Sequence, residues 1–308
     1  MTRSLRTPWW FDRELAGRAW RGTRLEVDRF ALPPAEPDPV LVALVREPFT
    51  SVTDVADRLG SLEGRLVERD DRRCVFLTVY TEMTARTRRA IDAGTFADPV
   101  WMRRYLVAFA EYYRRAFLAF ERGNLVAVPA PWIVAFGAAR RKETLVLQDA
   151  LLGINAHIVY DLALTLADTG LDPNRAAKYA DHRRVDGILA RLVAVQRGLL
   201  AERYAPGLDR VGDALAGLDE VGSAAALRAA RETAWRAAVV RTDTRLPGVA
   251  TATEWLLSRA ATGNAGVLLR PTASPAAMRT LHDVESDRLD LRSYVRAFHE
   301  RSRYRAET

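Results

Sequence analysis

A histidine and an aspartate four residues apart, His157 and Asp161, lie inside the most apolar stretch of the chain, LVLQDALLGINAHIVYDLALTL (145–166). In a helix that spacing puts both side chains on one face. An imidazole beside a carboxylate in a low-dielectric setting is the equipment of general acid–base catalysis, with the carboxylate holding the ring tautomer. A third group follows from the turn TGLDP (169–173), which is short enough to make its flanking helices antiparallel neighbours. Asp161 and Asp181 each lie ten residues from Leu171, so the count predicts that they meet. His157, Asp161 and Asp181 are thus the candidate catalytic set. The same three, with Asp186 as a further ligand, form an N/O set suited to a divalent metal. His182 and Asp186 are expected at the flank of that site.

The stretch holding the pair reads as a helix buried on every side, because its apolar residues leave no polar face. Buried polar side chains need partners, so Gln148, Asp149, Asn155, Tyr160 and Asp161 each require a reason to be there. Gly153, one turn before His157 on the same face, is expected to leave open space beside the imidazole. Asn155 and Tyr160, with Tyr80, Phe109, Tyr113 and Trp132, are the candidate substrate-binding residues that would wall an apolar pocket. The bland readings stand beside these. A buried His with Asp one turn away also serves as a hydrogen-bonded fastening between helices, Asn155 could hold a neighbouring backbone, and an aromatic stripe is ordinarily core.

Around this helix the chain reads as all-α, a single multi-helix bundle with a proline-rich N-terminal extension. Residues 1–40 form an arm with Trp9, Trp10, Phe11 and Trp20, closed by LPPAEPDP, which cannot be helical. The arm is expected to pack on the body or to join two copies as a homodimer. Residues 41–304 form the bundle. Ser51 or Thr53 caps one helix, Gly94 stops the next, and Asp98-Pro99 opens a third. Asp70 and Asp71 read as a solvated turn. Helices are expected over 174–204, 222–243 and 249–262, with a Gly/Pro/Ser-rich loop at 263–275. No alternating strand pattern and no internal repeat is visible.

Composition narrows the function. The chain has 308 residues and a net charge of +7, yet of its 46 basic residues all but Lys142 and Lys178 are arginine. The arginines alternate with acids along helical faces, which reads as a solvated surface and not as a nucleic-acid footprint. One cysteine, Cys74, excludes an internal disulfide and suits a reducing compartment. No charge-free run approaches the roughly 20 residues of a membrane span, and the N-terminus lacks a signal-peptide pattern, so the location expected is the cytoplasm. Phosphate loops, serine elbows and Cys/His pairs are missing, and no cofactor is called for beyond a divalent metal.

The run GINAHIVYDL (153–162) resembles the signature of DUF5995, a family of uncharacterised helical proteins with the pattern G-x-N-A-H-I-N-x-D-L. DDRRCVFLTVYTEMT, FADPVWMRRYLVAFAEYYRRAF and APWIVAF resemble further segments of that family, so the likeness spans about 50–240. Val159 replaces the family's Asn, His182 its Phe and Asp186 its Asn. The resemblance implies an all-α fold and a site at the central motif, and carries no activity with it. Together these readings lead to the expectation of a small-molecule enzyme of specialised metabolism. It would act on a hydrophobic, terpenoid- or polyketide-like substrate by hydrolysis, isomerisation or cyclisation. The alternative is a structural or interaction protein whose His/Asp cluster only fixes helix packing.

Overall fold

The computed structural model describes residues 13–204, 223–270, 275–288 and 290–304. It is 81% helical, with 12 helices and no strands among the described residues. In chain order these are α1 (Arg13–Gly22), α2 (Pro39–Arg46), α3 (Val52–Glu68), α4 (Cys74–Asp92), α5 (Pro99–Glu121) and α6 (Ala130–Arg141). Then follow α7 (Val146–Thr169), α8 (Arg175–Tyr204), α9 (Ala224–Asp243), α10 (Val249–Leu269), α11 (Pro275–Arg288) and α12 (Leu291–Tyr304). The local signals act as expected. Ser51 accepts from the amide of Asp54 at the start of α3, and Asp98, followed by Pro99 in the first turn of α5, accepts from Trp101. Gly94, at φ +70°, ends α4.

Helix α7 is the axis of the bundle. Its neighbours are α4, α5, α6, α9 and α10, which surround it on all sides. By length and composition Val146–Thr169 could also cross a membrane, but 94% of its most apolar window is buried in the bundle. Three of its polar residues hold α10. Gln148 donates to the Leu268 carbonyl (2.7 Å), Asn155 donates to Ala261 O (2.8 Å) and accepts from Asn264, and Tyr160 donates to Glu254 (3.0 Å). Partner numbers fall along α10 as they rise along α7, so the two helices run antiparallel. α10 itself reaches Leu269, and its last two turns occupy what the sequence reads as loop.

The hairpin expected across TGLDP does not form. α9 packs both on the C-terminal half of α7 and on α8, while α8 lies against α4, α11 and α12. Gly170 and Asn174 both have positive φ and redirect the chain. The Gly170 carbonyl is pinned by Trp101 Nε1 at 2.9 Å and by Lys178. Asp71 is also not in a solvated turn: it is nearly buried against Arg73, which in turn bonds Glu121, while Asp70 is exposed and pairs with Lys142.

Within the 1–40 segment, α1 packs on α10 through a glycine crossing, and Trp9, Trp10 and Phe11 lie outside the described residues. A β-carbon at Gly263 would run into the Arg18 carbonyl, and one at Gly22 into that of Arg259. Backbone cannot yield as a side-chain tip does, so Gly263→Ala should cost about 1–3 kcal/mol by overpacking. Limited proteolysis should then cut between α1 and α2 faster than in the parent, while α3–α9 stay protected.

Candidate functional site

The π-helical segment of α7, Ala156–Asp161, carries the dyad. His157 Nδ1 lies 2.8 Å from Asp161 Oδ2, and the same oxygen accepts from Trp132 Nε1 on α6 at 2.8 Å. The imidazole is 2% exposed and Asp161 is fully buried. Phe109 of α5 stacks on the imidazole with ring centroids 3.5 Å apart and planes 11° from parallel. Tyr80 of α4 meets it edge-on at 4.6 Å, and Tyr113, Trp132 and Phe76 complete the enclosure at 5.8–6.3 Å. Phe76 is the member that the sequence reading left out. Its signal was the i,i+4 spacing to Tyr80 on the same face of α4.

Electrostatics follow burial. Desolvation lowers the His157 pKa against the pull of Asp161, so the ring is neutral at pH 7. Burial also raises the Asp161 carboxyl, opposed by its bonds to His157 and Trp132. The tyrosine hydroxyls at 80 and 113 are pushed above the ordinary phenol value by burial and stay protonated. Among the described residues, His157 Nε2, Asp161 Oδ1 and both of those hydroxyls have no hydrogen-bond partner.

Four expectations are overturned. Asp181 does not join the dyad: its two oxygens accept from the amides of Ala97 (2.9 Å) and Asp98 (2.8 Å), with Arg184 on the outer side. It therefore braces the turn before α5. Gly153 opens no space, because the Phe76 ring fills the position its β-carbon would take. Asn155 and Tyr160 direct their polar atoms to α10 and not toward the imidazole. The metal set is not assembled either. No three His, Cys, Asp or Glu side chains among the described residues are grouped to hold a metal ion.

Asp186 and His182 belong to a separate cluster with Arg231 of α9, which is itself 1% exposed. Arg231 donates from Nε to Asp186 Oδ1 (2.6 Å) and from Nη2 to the His182 carbonyl (2.6 Å), and its own carbonyl lies 3.3 Å from His182 Nε2. The two departures from the family pattern at 182 and 186 thus share one buried cation. Burial, then the Arg231 charge, holds the His182 pKa well below its usual value.

A third histidine goes the other way. His299 of α12 meets Glu63 of α3 at 2.8 Å and Glu82 of α4 at 3.5 Å. Burial alone would lower its pKa, but the two carboxylates prevail and it is pushed up to about 9. The unfolded value is about 6.5, so this group contributes its full stability below that pH and loses it as pH rises through 9. Urea melts between pH 7 and 10 should therefore show a decline that His299→Gln flattens.

Among the described residues, cavities of about 520, 410 and 200 Å³ open at the surface, and His157 and Asp161 line none of these three. Neither the curated proteins nor the solved structures contain a match to the chain. A family model, that of DUF5995, a family of unknown function, matches residues 52–271. This reaches past the expected 50–240 to take in all of α10, the helix that the buried amides of α7 hold. The match covers most of the chain, from the start of α3 to just beyond α10, and places the protein in the DUF5995 family.

Proposed function

We propose that the His157–Asp161–Trp132 cluster is a helix lock, and that the protein is a helical structural or interaction protein rather than an enzyme acting at this site. The observation that carries this reading is the clamping of the imidazole. One ring nitrogen is fixed by Asp161, one ring face is covered by Phe109 at stacking distance, and the residue is only 2% exposed. The cluster ties three helices: the Trp132 hydrogen bond to Asp161 joins α6 to α7, and the stacking of Phe109 on His157 joins α5. Its polar groups specify how those helices meet.

The second reading is the small-molecule enzyme, with His157 as acid or base toward a small hydrophobic substrate. It is favoured by a specific observation, the unpartnered His157 Nε2 facing a cage whose Tyr80 and Tyr113 hydroxyls are also unpartnered. Buried orphans cost about 1–3 kcal/mol each, and π-helical turns recur at functional sites. Such an enzyme must open to admit its substrate. Native-state hydrogen exchange separates the two readings. The lock predicts that the amides of 156–161 exchange only through global unfolding. An enzyme predicts a local opening of this segment several kcal/mol below the global value.

A further inference from the structure

A cavity of about 520 Å³ lies between the start of α3, the end of α4 and the first half of α5. Its floor is apolar, built from Val52, Ile91 and Val107. Three arginines line it, Arg88, Arg103 and Arg104, against a single carboxylate, Asp92. Arg103 spends part of its charge on Asp92 at 3.4 Å. Arg88 and Arg104 form no ion pair among the described residues, although the chain elsewhere pairs its arginines densely. Thr50 and Thr53 also line the cavity.

Guanidinium groups present fixed forks of donors that match carboxylate and phosphate oxygens, often two at a time. The volume falls in the range of sites for small organic ligands and exceeds what an inorganic oxyanion fills. We propose that this cavity binds a small amphiphilic anion, with its apolar body on the floor and its carboxylate or phosphate head on Arg88 and Arg104. The site is independent of the His157 cluster, from which it shares no lining residue, and all of its arginines lie within the family-matched region.

Isothermal titration of the full chain with octyl phosphate, octanoate, octanol and inorganic phosphate tests this. Saturable one-to-one binding is expected for octyl phosphate or octanoate, and which of the two is tighter identifies the head group. Octanol and inorganic phosphate should bind at least roughly tenfold more weakly, since each lacks one half of the recognition. The double variant Arg88→Gln/Arg104→Gln should keep the parent melting temperature, because neither side chain is ion-paired, and should lose roughly tenfold or more in affinity for the octyl anion. The proposal is overturned if neither octyl anion saturates, if octanol binds as tightly as they do, or if the double variant binds like the parent.

Discussion

Replacing His157 by Ala is expected to lower the unfolding free energy by about 3–5 kcal/mol, among the largest effects of any single substitution in this chain. The ring is enclosed by Phe109, Tyr80, Tyr113, Trp132 and Phe76, and helices α4, α5 and α6 cannot all close on the space it leaves. Its removal also strips one of the two donors from the buried Oδ2 of Asp161. Trp132→Phe removes the other donor while filling most of the indole volume, so it should cost less, about 1.5–3 kcal/mol for a hydrogen bond to a charged group. Because both act on one oxygen, the double variant should fall short of the sum. Urea unfolding followed by circular dichroism measures all three. A loss below about 1 kcal/mol for His157→Ala would mean that the site is loosely packed and that the lock does not exist.

Arg231→Met is the second large effect, expected at about 3 kcal/mol. The substitution leaves Asp186 buried with only the half-exposed Arg183 at 3.1 Å, and frees the His182 carbonyl from its donor. A buried pair broken on one side costs more than the same pair replaced on both. Arg231→Met/Asp186→Leu should therefore recover most of the loss. The same variant should also raise the His182 pKa, since the Arg231 charge is one of the causes that depress it. A buried neutral histidine is destabilising on the acid side: its folded pKa is depressed, so stability falls as pH drops through the unfolded value near 6.5. Melts between pH 5 and 7 should accordingly be steeper for the parent than for Arg231→Met.

Much of the fold is written locally. Ser51, Gly94 and Asp98-Pro99 mark helix ends by capping chemistry that needs no distant partner. The all-round apolar character of 145–166 foretold a central helix, because only a surrounded helix can bury every face. The His157–Asp161 contact was legible for the same reason, a spacing within one element. Asp181 was not. Placing it beside Asp161 assumed that two helices joined by a short turn stay paired, whereas α9, arriving more than 50 residues after α7, packs on both. Gly153 was read as space when it is the seat of Phe76, a partner 77 positions away in sequence. Asn155 and Tyr160 have their partners on α10, about a hundred residues on, and no pattern in either segment announces the other. Arg231 was likewise invisible as the counter-ion of Asp186, since a buried arginine in an Arg-rich amphipathic helix looks like its solvated neighbours.

The helix-lock account turns on whether the imidazole at 157 is shut away, and nitrogen-detected NMR of ring-labelled histidine reads that directly. A sealed, desolvated ring predicts one neutral tautomer with its proton on Nδ1, unchanged from pH 8 down to the onset of acid unfolding and indifferent to added small hydrophobic molecules. A ring that titrates near its ordinary value in the folded protein, or whose Nε2 resonance moves when such molecules are added, would contradict the account and restore the site to chemistry.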